Sequence, residues 1–161
     1  TLFNWLGQDL TGLRCLDAFA GSGALGFEAA SRGAAEVLLI EQAPALVAAL
    51  RDNAIRLKAT QITVLRGDAL SLMRQRDGQA WDVVFLDPPF GDGQNGALFR
   101  DALKAARDLL AADGLLYLEA PRPWTEVELA ELGWQLLRQG RAGQVAFHLL
   151  GPQPLDVARE G

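Results

Sequence analysis

Asp87-Pro88-Pro89-Phe90 is the segment of this sequence most plainly suited to chemistry. An acidic side chain can accept a hydrogen bond from an –NH2 group. The Pro88 carbonyl is a second acceptor, held nearby by the stiff Pro-Pro backbone. Phe90 offers a flat face on which a base can stack. Two acceptors fix both hydrogens of an amine and aim its lone pair at an electrophile. A site of this kind works by positioning more than by strong base. A lone Asp-Pro-Pro would read as a rigid turn that ends a strand, so its meaning depends on what accompanies it.

What accompanies it is a glycine turn, Asp17-Ala-Phe-Ala-Gly21-Ser-Gly23-Ala-Leu-Gly26. Gly21 and Gly23 let the backbone turn tightly and approach a ligand with no Cβ in the way. The helix that opens beyond them offers unpaired N–H groups to an anion or carboxylate. Glu41 follows about 20 residues on, where a carboxylate can accept both hydroxyls of a ribose. Asp17, Phe19 and Ser22, on the same turn, complete this part of the candidate cofactor set. The pattern also satisfies G-x-G-x-x-G, so alone it indicates an adenosine-containing cofactor without choosing between NAD and S-adenosylmethionine. The plainer reading is a glycine turn used only for packing. A weaker signal is Gly67-Asp68-Ala69. Asp68 can accept from an adenine amino group and the Ala69 N–H can meet a ring nitrogen. Asp68 is equally suited to cap the helix that follows, and both roles stand.

These residues need elements to hold them. Apolar runs at Arg14 to Phe19, Val37 to Ile40, Ile62 to Leu65, Trp81 to Leu86 and Leu115 to Glu119 predict five strands. Helical patterns at Ala24 to Arg32, Ala45 to Leu57, Ala69 to Arg76 and Ala97 to Leu110 fall between them. Leu2, Phe3 and Leu6 share one face of a short helix at the start. Asp113-Gly114 reads as the turn before the fifth strand. Thr125 and Glu128 form a capping box at the head of a helix to Leu132. Trp134 to Arg138 and Val145 to Leu150 read as a closing hairpin turning around Gly140 to Gly143, with a frayed tail from Gly151. Strands that alternate with helices predict a mostly parallel α/β sheet covered on both faces. In such sheets ligands bind at the carboxyl ends of the strands, where Gly21, Glu41, Asp68 and Asp87 all fall. Asp87 is therefore a candidate for both the catalytic and the cofactor-binding sets.

The stretch Asp17-Ala-Phe-Ala-Gly-Ser-Gly-Ala-Leu-Gly-Phe-Glu-Ala-Ala-Ser-Arg-Gly-Ala34, with Glu41, Asp68 and Asp87-Pro-Pro-Phe90, resembles the class I S-adenosylmethionine-dependent methyltransferases. More narrowly it resembles the bacterial RsmD-type enzymes, which methylate the N2 amine of one guanine in small-subunit (16S) rRNA. Thr1-Leu-Phe-Asn-Trp-Leu6 is similar to that family as well, and the resemblance runs to about Leu150. Glu28-Ala-Ala-Ser-Arg-Gly33 is its more specific part, whereas Asp-Pro-Pro-Phe is shared with many base-amine methyltransferases. The resemblance implies a Rossmann-like, seven-stranded sheet with an antiparallel last strand. It implies S-adenosylmethionine held around Gly21, Gly23, Glu41 and Asp68, and a base at Asp87 and Phe90. It implies an rRNA partner, free or within an assembled or partly assembled small subunit, and a cytoplasmic setting. Residues 1–150 are expected to form the catalytic domain and 151–161 a flexible tail. Family members also carry an arginine-rich segment ahead of this start, which this sequence does not include.

Composition bounds the rest. The chain has 161 residues, half of them apolar, enough for one domain with one core. The net charge is −5 and the pI about 4.8, which argues against a surface that grips phosphates by overall charge. No apolar run approaches the roughly 20 residues of a membrane-spanning helix, and no basic leader with an apolar core opens the chain. Cys15, the single cysteine, precludes an internal disulfide and reads as a buried strand residue. With one histidine, His148, no metal site is expected. Trp81 and Trp134 read as core anchors, and Glu28 as an ion-pair partner of Arg32 one helical turn on. Arg122 and the loop Gly91 to Gly96 lie at the active edge, with RNA contact as one reading and no role as the other. No interface stripe is evident, so a monomer is the default.

Two other functions fit less well. One is the same chemistry on another amine, adenine N6 or a glutamine side chain, which wants the same two acceptors. The other is a non-catalytic or dehydrogenase-type nucleotide-binding domain, in which Asp87-Pro-Pro-Phe90 would have no task.

Overall fold

The computed structural model describes residues 2–76, 78–89 and 96–154. A short helix α1 (Leu2–Leu6) is followed by β1 (Arg14–Asp17), α2 (Ala24–Ser31), β2 (Glu36–Glu41), α3 (Pro44–Arg56), β3 (Ile62–Arg66), α4 (Ala69–Arg74), β4 (Trp81–Leu86), α5 (Gly96–Arg107), β5 (Leu110–Ala120), α6 (Glu126–Glu131), β6 (Trp134–Ala142) and β7 (Val145–Pro152). The strands form one seven-stranded sheet in the order β3-β2-β1-β4-β5-β7-β6. β1 to β5 are parallel, and β7 runs antiparallel to both β5 and β6. This is the mixed, mostly parallel sheet that the alternation of strands and helices predicts.

The central strands are apolar along their whole length because both faces are covered. Successive residues therefore feed two cores. Leu16, Leu38, Ile40, Val84, Leu86, Leu116 and Leu118 pack with residues of α4, α5 and α6. Cys15, Val37, Leu39, Val83, Phe85 and Tyr117 pack with residues of α1, α2 and α3. β3, at the sheet edge, instead alternates, with Ile62 and Val64 buried and Thr63 exposed. Period-2 geometry places Asp17, Glu41 and Glu119 on the α1–α3 face, in line with Cys15, Leu39 and Tyr117.

Several boundaries differ from the expectation. β5 starts at Leu110, so Asp113-Gly114 lies inside it and does not precede it. Trp81 pairs with Leu110 and Val83 with Leu115, which leaves an irregularity between the two pairings. Gly114 permits it: a Cβ there would sit 3.0 Å from the Trp81 carbonyl and 2.7 Å from Leu110 Cγ. α5 accordingly ends at Arg107, short of Leu110. The closing hairpin is longer than expected, turning at Gly143 with φ 57°. Gly151 and Pro152 belong to β7, and the Gln153 N–H donates to the Gly133 carbonyl at 2.9 Å. The tail expected from Gly151 therefore starts no earlier than Gln153, because pairing with β6 holds the two residues before it. Residues 155–161 lie outside the described residues.

Structural readings of single residues hold where they were specific. Trp81 and Trp134 are fully buried, and so is Trp124. Arg32 Nε donates to Glu28 Oε2 at 2.8 Å, one turn apart on α2. The Thr125–Glu128 capping box is formed at the start of α6. His148 is buried and structural. Its Nε2 accepts the Trp124 N–H at 2.9 Å, so Nδ1 carries the hydrogen that faces the Leu118 carbonyl at 3.3 Å. Burial holds its pKa down, in keeping with a neutral ring. Among the described residues, no helix is long and apolar enough to cross a membrane and no cluster of metal-ligating side chains occurs.

Candidate active site

The carboxyl ends of β1, β2, β3 and β4 open on one cavity of about 500 Å3. Its lining includes Asp17, Phe19, Gly21, Ser22, Glu41, Asp68, Ala69, Asp87 and Pro89. Nine of the candidate residues thus meet in one place although they come from four strand ends. Gly23 and Pro88 stand outside the lining. Phe90 and the loop residues 91–95 lie outside the described residues.

The glycine turn is shaped by its neighbours. Gly21 has φ 56°, and its N–H donates to Glu41 Oε1 at 2.9 Å. Gly23 is the N-cap of α2 in the left-handed region, φ 83°, where a Cβ would lie 2.5 Å from Leu50 Cδ2. Its role is thus to let the turn close against α3. Gly26 packs α2 on β2, since a Cβ there would collide with Leu39. The last glycine of the motif is therefore a packing residue.

Glu41 braces the glycine turn. Oε1 accepts from Gly21, while Oε2 accepts from the N–H groups of Gln42 and Ala43, at 2.9 and 2.8 Å. Three of roughly four acceptor positions on a carboxylate are used to brace the turn. Asp68 caps α4, with Oδ2 accepting the Ser71 N–H at 3.0 Å. The capping role is real, and the residue still faces the cavity.

Asp17 is buried, and its Oδ1 has no hydrogen-bond partner among the described residues. Burial is the main reason its pKa is pushed up to about 7. The Phe19 N–H opposes that shift, and the charges of Asp87, Glu41 and Glu119 add to it. Asp87 is also pushed up, to about 7, first by burial and then by Glu119. The cavity is lined by four carboxyl groups, Asp17, Glu41, Asp68 and Asp87, and by no lysine, arginine or histidine among the described residues.

Sequence reasoning missed Glu119 and Tyr117. The Tyr117 hydroxyl donates to Glu119 Oε1 at 2.7 Å, and the Leu86–Leu118 pairing sets Glu119 beside Asp87. The available signal was an acidic residue at the end of the strand next to Asp87. Arg122 is paired within the chain. Its guanidinium donates to both Glu128 oxygens at 3.1 and 2.9 Å and lies 4.8 Å from the Trp124 ring. Glu128 is thereby held at about 2, chiefly by Arg122.

Comparison with known proteins agrees with this geometry. The family model for conserved hypothetical protein 95 matches residues 1–151. A ribosomal RNA small subunit methyltransferase D of Escherichia coli (strain K12) is 41% identical, with 92% of this chain and 73% of that protein covered. The Haemophilus influenzae protein of the same name is 36% identical, over 92% of this chain and 77% of its own. A solved putative methyltransferase from Escherichia coli superposes with a TM-score of 0.81 at 38% identity, covering 96% of this chain and 83% of that one. The chain belongs to the conserved hypothetical protein 95 family and has the fold of its Rossmann-like methyltransferase relatives.

Proposed function

We propose that this chain transfers a methyl group from S-adenosylmethionine to the exocyclic N2 amine of a guanine in small-subunit rRNA. The observation that carries the reading is the charge of the cavity. Four carboxyl groups and no cation line it among the described residues. A dinucleotide would bring two phosphates into that field, and like charges in a partly buried site repel strongly. A ligand with cationic groups suits it. The buried, unpartnered Asp17 Oδ1 is an acceptor without a donor, which such a ligand supplies. S-adenosylmethionine fits this donor set: Asp17 for a cationic group, Glu41 for ribose hydroxyls, Asp68 and Ala69 for adenine. When bound, it supplies a methyl group already activated by a sulfonium centre.

The chain's own task is then to orient the amine. Asp87, at the rim of the same cavity, accepts one amine hydrogen, and the Pro88 carbonyl accepts the other. Phe90 stacks on a base that is unpaired or turned out of its helix. The rRNA target rests on relatives named for small-subunit rRNA and on these acceptors. Adenine N6 would want the same two acceptors, so the target is decided by the product. The protein is incubated with labelled S-adenosylmethionine and either free small-subunit rRNA or small subunits lacking the modification. The RNA is then digested and its nucleosides weighed. Label in N2-methylguanosine is expected. Label in N6-methyladenosine would overturn the target, and no label in any nucleoside would overturn the reading.

A further inference from the structure

The carboxyl cluster does not stop at the cavity wall. Leu86 of β4 pairs with Leu118 of β5, so the next residues, Asp87 and Glu119, are neighbours on one edge of the sheet. Their side chains are adjacent, and Glu119 raises the proton affinity of Asp87 further, after burial. Tyr117 lies two residues before Glu119 and therefore on the same face. Its hydroxyl donates to Glu119 Oε1 at 2.7 Å. Its ring is buried and stacked on Phe147 of β7, centroids 6.3 Å apart at 21°. The phenol is thus a fixed donor that holds the Glu119 carboxyl in place beside Asp87. Neither Glu119 nor Tyr117 lines the cavity. Glu119 acts on the cavity through the groups that line it, by its charge on Asp17 and by charge and hydrogen bonding on Asp87.

We propose that Glu119, held by Tyr117, is a positioning residue that fixes the Asp87 side chain and strengthens it as a proton acceptor for the reacting amine. The inference rests on the reading that Asp87 faces the reacting amine. An amine that gains a methyl group must lose a hydrogen as a proton. The N–H bond breaks, its electron pair stays on nitrogen, and the proton passes to an ionised Asp87 oxygen. There Glu119 helps to hold it, because the pair carries one proton more readily than none. A solvated aspartate is a weaker acceptor: burial raises the proton affinity of Asp87 most, and Glu119 adds to it. Among the described residues, the other carboxyl groups on this cavity are Asp17, Glu41 and Asp68, and Arg122, three residues past Glu119, is paired with Glu128. The neighbouring residues of α1 and β7 on this face, Phe3 and Phe147, are uncharged. No cation among the described residues competes with Glu119 in setting the proton affinity of Asp87.

The test follows the carboxyl-carbon NMR resonances of Asp87 and Glu119 with pH in the ligand-free protein, alongside the pH profile of kcat/KM. In the wild type the Asp87 resonance is expected to titrate near neutrality. In Glu119→Gln the Asp87 midpoint should fall by at least about one unit, and the acid limb of kcat/KM should fall with it. At pH about 5.5 the variant should then keep roughly ten times more of its own plateau than the wild type keeps. A merely structural role would lower the plateau without moving the limb. An unmoved Asp87 midpoint in Glu119→Gln would overturn the proposal. So would an Asp87 midpoint in the ordinary carboxylate range in the wild type, a measurement that needs no variant to fold. A raised Asp87 midpoint that falls in Glu119→Gln, without methyl transfer, would refute the proposed reaction and leave the pairing standing, so the two failures are distinct.

Discussion

Asp87→Ala is expected to lower kcat for methyl transfer by roughly a hundred- to a thousandfold, the usual effect of removing one oriented hydrogen-bond partner from a reacting group. Affinity for S-adenosylhomocysteine should change by less than about threefold. The separation follows from where Asp87 sits. It is at the rim, one residue past β4, while the glycine turn is braced by Glu41 and α4 is capped by Asp68. Removing Asp87 breaks neither brace. Asp87→Asn is the informative companion. An amide keeps one acceptor oxygen but cannot take a proton at neutral pH. It should retain more activity than alanine and lose the fall in rate that the wild type shows below pH about 7. That fall has a definite sign: Asp87 must be ionised to accept, so activity is lost as pH drops through its raised pKa. Equal loss of transfer and cofactor binding in Asp87→Ala would mean that the residue belongs to the cofactor pocket instead. Single-turnover rates and calorimetry on the same preparations distinguish the two.

Asp17→Asn is expected to weaken S-adenosylmethionine binding by about a hundredfold while making the ligand-free protein more stable at neutral and alkaline pH. The first effect comes from losing a buried charged acceptor, worth about 1.5–3 kcal/mol. The second comes from burial. The folded pKa of Asp17, about 7, lies above the 3.8 of a free aspartate. Between those values the unfolded chain has released the proton while the folded chain still binds it. Stability from this group is therefore full below pH about 4 and declines as pH rises toward 7. Above that the buried charge is a standing cost. Asparagine still offers an oxygen to the Phe19 N–H and removes the charge. The stability difference between variant and wild type should be small at pH about 4 and grow to a plateau above 7. Urea denaturation across that range measures it. A difference independent of pH would show that Asp17 is not the buried acid described. Opposite signs for binding and stability are the mark of a group kept for its ligand and not for the fold.

The parts of the site legible in the sequence are those written in consecutive residues. A glycine turn between an apolar run and a helix must fall at the end of a strand, and Asp-Pro-Pro must end one. Gly21, Glu41, Asp68 and Asp87 therefore reach one edge once the sheet is parallel. Glu119 and Tyr117 escaped because their meaning is non-local. A glutamate at a strand end reads as solvated until β4 and β5 are known to be neighbours and Asp87 is known to stand beside it. The irregularity in β5 escaped for a related reason. Asp113-Gly114 has the composition of a turn, and only its contact with Trp81 places it inside a strand. Residues 151 and 152 lack an apolar pattern and are ordered by pairing with Trp134 and Gln135. The third motif glycine, Gly26, is ambiguous by sequence between ligand approach and packing, and its contact with Leu39 decides for packing.

The most direct test of the central claim is calorimetric titration of this chain with S-adenosylmethionine, S-adenosylhomocysteine and NAD in parallel. The account predicts one site for S-adenosylmethionine, weaker binding of S-adenosylhomocysteine, which lacks the sulfonium charge, and no binding of NAD. Tight binding of NAD, or equal affinity of the wild type for the charged and uncharged sulfur ligands, would contradict a cavity whose carboxyl groups select a cationic cofactor.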